Sequence, residues 1–438
     1  MTPEREERNE ELRRRRRERH QQTQKKQQRQ AVIRLILVLA ALAMSAALII
    51  WTSQNAPEGG DQTVQTESTA ARPIGQEEED VWETEPTTVI HVAAAGDLNV
   101  TDEIVKEAMT VSGYNFSSTF LDVAPVLGAA DLTILNFEGT LAGPPYGTET
   151  GSAPASLAET LAKLGVDVVQ TANSASIRAG VLGLQSTIAG LQNVGITPVG
   201  TFADSDAFEK SGGFTMVEVD GIRIALVAFT KGMDNLGLPE GSADCVNILY
   251  EDYTTDYKKI DRNEINTIMR NVASQEPDIT IALVHWGSEM NENLSDSQED
   301  IAEILLSAGA DAIIGTHSHL LNAIEYDETA GTLVAWSLGD FFGNAEEAAT
   351  NYSVILDIEI TMDNQLGTAS ITGFSTTPIY ILRPEQSFMG GRRVVRMEEA
   401  LARYEGRYIG RVNDATADAI DYALTRVEQR ITARDHAE

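Results

Sequence analysis

The chain has 438 residues, 42% of them hydrophobic, enough for a full core and too many for wholesale disorder. Its single cysteine, Cys245, excludes an intramolecular disulfide framework and a cysteine-based zinc cluster. The formal charge of −33 is uneven: residues 1–34 carry a net +6, and the rest hold 21 basic and 60 acidic residues, a net −39. A body this acidic is a poor partner for nucleic acid, whose phosphates need a basic face.

Residues 1–30 are polar and basic, with a run from Arg13 to Arg17 that would read as a solvated tail in isolation. From Leu35 to Trp51 the chain reads LILVLAALAMSAALIIW without a charge. Together with Ala31 to Arg34 this reaches about 20 residues, the length of a membrane-crossing helix. Basic residues flank it on the N-terminal side only, so the positive-inside rule places residues 1–30 in the cytoplasm and everything after Trp51 outside. A cleaved signal peptide is the rival reading. The long basic region and the lack of a clear small-x-small site favour an uncleaved signal-anchor over 31–51. Residues 52–87 are rich in Gly, Gln, Thr, Glu and Pro, and the run Glu77 to Asp80 fits a disordered acidic tether.

From Thr88 short β-rich runs alternate with amphipathic stretches. Expected strands are 89–95, 132–136, 168–171, 214–219, 222–229, 279–284, 312–314, 332–336 and 353–360. Expected helices are 156–164, 181–193, 257–274 and 296–307. This alternation predicts an α/β domain with a largely parallel, buried sheet, in which strands 222–229 and 353–360 could pair antiparallel with neighbours. After Pro384 the pattern turns helical, and Ile420, Leu424, Val427 and Ile431 share one helical face expected to pack on the body.

The chemistry-bearing residues fall just after the expected strands, where open α/β sheets bind ligands. Gly315-Thr316-His317-Ser318-His319 follows an apolar run, and His-x-His can aim both imidazoles at one metal ion. His285 ends another run, with Glu289 in reach as a residue to orient a histidine. Asp97 follows the first strand, with Asn99 two residues on, and Asn136 and Glu138 follow the second. For each, an ordinary turn or core role is the plainer alternative. Together Asp97, Glu138, His285, His317 and His319 supply a mixed oxygen and nitrogen set suited to Mn, Fe, Zn or Mg. The expected cofactor is therefore a divalent metal ion.

In this order the motifs GDLN, NFEGTL, VHWGSE, GADAIIGTHSH and WSLGDFFGN resemble the CapA/PgsA family of poly-γ-glutamate capsule synthesis proteins, a branch similar to calcineurin-like metallophosphoesterases. The resemblance covers about Val89 to Leu382. It implies a four-layer α/β/β/α sandwich over 88–383, followed by a helical extension over 384–438. Its metal ligands would be Asp97, Glu138, His285, His317 and His319, with His285, His317 and Asn136 in catalytic roles and Glu289 and Asn99 holding ligands in place. TKGMDNLGLP, from Thr230 to Pro239, resembles a family loop with a Thr and an Asn near the site. Asp340 departs mildly from a segment usually written SLGN.

The main departure is the third motif. Where the family carries Ala-Asn-Asn-His and a later Asp, this chain has Ser174 for the ligand asparagine, Ala175 for the proton-donating histidine and Arg178 for the aspartate. Loss of a positioned general acid costs about 10²–10⁴-fold in rate. Loss of a ligand weakens a second metal position, so one ion rather than two is an open alternative. Arg178 and the pair Arg392-Arg393 are candidate anion-binding patches.

Three functions follow. The first is a membrane-anchored extracellular protein of the bacterial cell membrane, acting beside a membrane-embedded synthase in making or exporting an anionic polymer, with poly-γ-glutamate the first expectation. The second is a metal-dependent phosphoester hydrolase on envelope substrates. The third is a non-catalytic scaffold of the same fold.

Overall fold

The computed structural model describes residues 86–432, apart from 387, 389 and 409. The expected basic tail, the 31–51 span and nearly all of the 52–87 tether lie outside the described residues. Among the described residues no helix is long and apolar enough to cross a membrane. The described chain divides into two compact units. The smaller comprises residues 86–87 and the 363–367 turn, which Gly367 closes by donating its N–H to the Asp363 carbonyl at 2.7 Å. The larger, 88–362 with 368–432, contains everything discussed below.

The chain opens with β1 (Thr87–Asn99), α1 (Asp102–Ala108), the short pair β2 (Met109–Thr110) and β3 (Gly113–Tyr114), α2 (Ala124–Leu127) and β4 (Leu132–Glu138). It continues through α3 (Ala155–Lys163), β5 (Val168–Gln170), α4 (Gly180–Asn193), β6 (Thr197–Val199), α5 (Ser205–Ser211), β7 (Thr215–Val219) and β8 (Ile222–Thr230). Next come α6 (Arg262–Ser274), β9 (Ile279–His285), α7 (Asp296–Ala308), β10 (Ala312–Thr316), β11 (Ile324–Asp327), β12 (Thr332–Ala335) and β13 (Asp340–Phe342). The chain ends with β14 (Tyr352–Asp363), β15 (Thr368–Leu382), β16 (Arg393–Arg396), α8 (Met397–Glu405) and α9 (Asp414–Thr432).

Two large sheets result. One runs β16-β15-β14-β1-β4-β5-β6, with β13 also paired to β1, and the other runs β11-β12-β10-β9-β8-β7. The pairs β1–β4–β5–β6 and β8–β9–β10–β12 are parallel, whereas β7–β8, β11–β12 and β15–β16 are antiparallel.

Alternate side chains on a strand face opposite sides of a sheet, and each sheet is apolar on both. Ile90, Val92 and Ala94 of β1 join Ile224, Leu226 and Ala228 of β8 in one core between the sheets. Their neighbours Ala93, Ala95 and Leu98 turn the other way, onto Ile104 of α1 and Leu157 and Leu161 of α3. Ala225, Val227 and Phe229 of β8 likewise meet Ile265, Ile268 and Met269 of α6 and Ile301 and Leu305 of α7. The layers are thus helices, sheet, sheet and helices.

The structure departs from expectation in several places. The expected helix 257–274 begins only at Arg262, because Asp261 caps it, accepting the Glu264 N–H at 2.9 Å. The stretch after Pro384, expected to be helical, first contributes β16 as an edge strand beside β15. The helices follow, and the α9 face of Ile420, Leu424, Val427 and Ile431 packs into the core shared by both sheets. Replacing fully buried Ile420 with Ala should therefore lower the stability of the folded domain by about 2–5 kcal/mol. A shift in the urea midpoint, with unchanged slope, is the measurement that checks it.

Candidate metal centre

Parallel pairing brings the carboxyl ends of β1, β4, β8, β9 and β10 to one end of the two sheets. At the end of β1 the register with β4 slips by one residue, Ala95 facing Leu135 but Asp97 facing Asn136. The extra residue is Gly96. A Cβ there would lie 1.8 Å from the Gly339 carbonyl oxygen, which accepts the Asp97 N–H at 2.9 Å. Only glycine allows this approach, and it sets Asp97 beside Asp340, its register partner on β13.

Two groups of potential metal donors result, Glu138 with His285 and His317, and Asp97 with His319 and Asp340. They lie close together: His285 Nε2 is 3.5 Å from Glu138 Oε1, and His319 Nε2 is 4.0 Å from Glu138 Oε2. His317 donates its N–H to Asp97 Oδ2 at 3.1 Å, and the His319 ring meets Asp340 Oδ1 at 2.8 Å. His317 and His319 have φ of +96° and +62°, a left-handed backbone that costs energy in residues other than glycine. Both imidazoles turn inward at that cost.

The electrostatics split the histidines. Burial drives the His285 ring down to about 3 despite nearby Asp97, and burial with the adjacent His285 holds His317 well below its ordinary value. Both rings are therefore neutral and keep a lone pair for a cation. Burial opposes charge on His319 too, but Asp340, Glu138 and Asp97 outweigh it and raise the ring to about 11. Burial raises Asp340 to about 7 against the pull of His319, and burial with the Glu138 charge raises Asp97. Glu138 Oε2 is buried and has no hydrogen-bond partner among the described residues. Leaving such an atom unsatisfied costs about 1–3 kcal/mol, more for a charged group. Three buried carboxylates, two neutral imidazoles and this orphaned oxygen fit a divalent cation, which would supply Lewis-acid polarisation of a substrate oxygen. The six residues of the two donor groups would hold it.

The structure thus brings together all five expected ligands and adds Asp340, noted in the sequence only as a departure. Asn99 lies where expected, its amide 3.4 Å from His319 Nδ1 and donating to Asp340 Oδ1 at 3.3 Å. Asn136, expected in a catalytic role, is a positioning residue. Its amide donates to Asp97 Oδ1 at 2.5 Å, and its carbonyl accepts from Asn173 at 2.9 Å. Glu289, expected to orient a histidine, makes no hydrogen bond to one among the described residues. Thr316 Oγ1 lies 3.1 Å from His285 Nδ1 and takes that role. No spacing rule pointed to Thr316, whose only sequence signal is its place between Gly315 and His317.

Ser174 stands inside the cage, with Oγ 3.0 Å from His285 Nε2 and 3.5 Å from His317 Nδ1. Ala175 is fully buried, its N–H donating to Asn173 Oδ1 at 3.1 Å. Arg178 is not a free anion site, since it pairs with Asp234 at 2.5 Å. Arg392 pairs with Glu107 at 3.1 Å and Arg393 with Asp122 at 3.6 Å, while Arg393 Nε and Nη2 are buried without a hydrogen-bond partner among the described residues. From the Thr230 loop, buried Thr230 donates to the Gly232 carbonyl at 2.8 Å. Lys231, Gly232, Asp234 and Asn235 line a cavity of about 270 Å³ that reaches Ser174 and His317. Lys231, Tyr257 and Ser288 in this cavity were not singled out from the sequence.

A family model described as bacterial capsule synthesis protein PGA_cap matches residues 91–345, more than half of the chain, and the chain belongs to that family. The PGA biosynthesis protein CapA of Bacillus subtilis (strain 168) is 27% identical over 274 residues, covering 60% of this chain and 65% of that protein. The capsule biosynthesis protein CapA of Bacillus anthracis is 24% identical over 190 residues, covering 43% of each. The matched segments thus span less than two thirds of either relative. Among solved structures, a phosphatase from Mycoplasma pneumoniae aligns with a TM-score of 0.40 and 14% identity, over 67% of this chain and 94% of that one. A hypothetical protein from Thermus thermophilus aligns with a TM-score of 0.38 and 15% identity, over 66% and 98%.

Metal occupancy should fall strongly in His319→Ala and stay at the wild-type level in His91→Ala. The His91 ring sits apart, bonded to Asp357 at 3.0 Å. Elemental mass spectrometry of the two variants checks this, and equal occupancy would count against the cage. Gly96→Ala should lower both metal occupancy and thermal stability, because its Cβ would push the Gly339 carbonyl away and displace Asp97. Occupancy and unfolding midpoint, measured together, test that coupling.

Proposed function

We propose that this member of the capsule synthesis protein family acts in making or exporting an anionic polymer of the bacterial envelope, with poly-γ-glutamate as the leading candidate. The 31–51 span anchors it in the cell membrane, residues 1–30 stay in the cytoplasm and the domain works outside, beside a membrane-embedded synthase. The family match carries this reading, together with the kinship to the two Bacillus proteins named for PGA and capsule biosynthesis. The domain has the layer order expected of the metallophosphoesterase type. Its cage of Asp97, Glu138, His285, His317, His319 and Asp340 would bind Mn, Fe, Zn or Mg.

A metal-dependent phosphoester hydrolase is the second reading, and the open cavity beside the cage favours it. Against an efficient hydrolase stands the third motif. Ala175 offers no proton donor, and Ser174 presents a hydroxyl where the family carries a ligand amide. Ser174 instead holds the rings, its Oγ contacting both His285 and His317. The net −39 body repels a polyanion at long range, so a bound cation and local basic groups would have to offset that repulsion at the site.

Host cells lacking the protein should recover polymer output with the wild-type chain and not with His317→Ala made at the same level in the membrane. Polymer mass per cell is the measurement. Full recovery with His317→Ala would instead favour the scaffold. Turnover of a generic phosphodiester by the purified full chain, abolished in His317→Ala, would favour the hydrolase.

A further inference from the structure

Beside the metal donors lies a cavity whose walls differ in kind from the cage. Ser174, Lys231, Gly232, Asp234, Asn235, Tyr257, Ser288, Glu289 and His317 line it, so it opens directly onto one wall of the cage. Its only lysine is held in a fixed place. Lys231 donates its backbone N–H to the His285 carbonyl at 2.8 Å, which ties it to the end of β9. Its Nζ donates to the Gly287 carbonyl at 2.6 Å and sits 4.6 Å from the centre of the Tyr257 ring. An ammonium has three donors, and these contacts use one proton and one face.

Burial disfavours that charge, and the nearby Glu289 and Asp234 carboxylates favour it. Among the described residues Lys231 makes no ion pair with a carboxylate. Asp234 is already matched by Arg178 at 2.5 Å. That pair also ties the turn carrying Ser174 to the loop carrying Asn235, across the cavity they both line. The Tyr257 hydroxyl donates to Asn235 Oδ1 at 3.0 Å, which leaves the Asn235 amide protons to donate elsewhere. The Ser288 hydroxyl adds a further polar group to the lining. Four of the nine lining residues have left-handed backbones: Asp234 at +49°, Asn235 at +61°, Tyr257 at +52° and His317 at +96°. Strain of this kind persists where packing enforces it, and it gathers at binding sites.

We propose that this cavity is an oxyanion subsite in which Lys231 and Asn235 grip a phosphoryl or carboxylate group of the substrate next to the metal donors. Arg178 and Asp234 act as positioning residues, bracing the two loops. Glu289 is the one lining carboxylate left without an ion pair among the described residues. The subsite requires no proton transfer by Lys231. It rests on the reading above only in that the neighbouring donors hold a divalent ion.

The test is calorimetric titration of the full chain, as purified and after chelation, with inorganic phosphate and separately with free glutamate. Wild type is compared with Lys231→Met, Asn235→Ala and Lys163→Met, the last altering an exposed lysine on α3 as a charge control. At least one anion should bind wild type and Lys163→Met alike. It should bind Lys231→Met at least tenfold more weakly, with metal load unchanged and the domain still unfolding cooperatively above the assay temperature. Loss of a charged hydrogen bond predicts that size. Asn235→Ala should weaken it about threefold or more, and it serves as the second probe if Lys231→Met fails to fold. Dependence seen with phosphate marks a phosphoryl substrate, and dependence seen with glutamate marks a carboxylate. Equal affinity in wild type and Lys231→Met, or no saturable binding of either anion to wild type, overturns the subsite. If the chain takes up no metal but the Lys231 dependence persists after chelation, the metal reading fails and the subsite stands.

Discussion

Three buried carboxylates packed around three histidines set the terms for this domain. Asp97, Glu138 and Asp340 lie in a medium where like charges repel far more strongly than in water. Taking them from water carries a cost that the fold must offset with an opposite charge nearby. A proton on His319 supplies part of it, through contact with Asp340 at 2.8 Å. It cannot supply all, because His285 and His317 are buried too deeply to carry charge of their own, and Glu138 Oε2 is left without a partner. A divalent ion would close that deficit with donors already in place. Its capture would expel protons from the cage, so affinity should rise with pH.

The topology explains how such an unfavourable cluster can be built at all. Parallel strands end on the same side, so residues distant in sequence arrive at one rim without any local motif to gather them. Glycine then adjusts the last ångströms. Gly96 lets Asp97 reach the Gly339 carbonyl, and Gly315, whose Cβ would lie 2.1 Å from the Trp336 carbonyl, lets β10 run close beneath the His-x-His turn. The stacked pair Trp286 and Trp336, with ring centres 5.4 Å apart, fills the space behind that turn. The strain at His317 and His319 is thereby held in place by packing on both sides.

Much of this was legible in the sequence because strand-forming runs and strand-end motifs coincide. All nine expected strands form, and their ends carry the five expected ligands. The elements that escaped notice are those whose local pattern is weak. β6 and β13 are three residues each, and β16 is a short run after a segment of helical texture. At the site, spacing could find residues that follow strands, but not those that face them from loops. Asp340 sits next to Asp97 only through the β1–β13 pairing, a contact between residues 243 positions apart. Thr316, rather than Glu289, reaches His285 because β9 and β10 are in register at Thr316 and His285. Asn136, which follows a strand, bonds both Asp97 and Asn173, a buried amide link that no spacing rule could show.

The altered third motif illustrates how a site can change one wall without losing the rest. Its residues lie on the turn between β5 and α4, whereas the cage is supplied by β1, β4, β9, the end of β10 and β13. Substitution on that turn therefore leaves the carboxylates and imidazoles undisturbed. Two of the replacements are matched by new contacts rather than left as gaps. Ser174 Oγ reaches both His285 and His317, and Arg178 finds Asp234 across the cavity. Ala175 is sealed in the core and can exchange no proton with a ligand. A wall that has given up a proton donor and gained a cross-cavity brace is better suited to holding a substrate than to cleaving it.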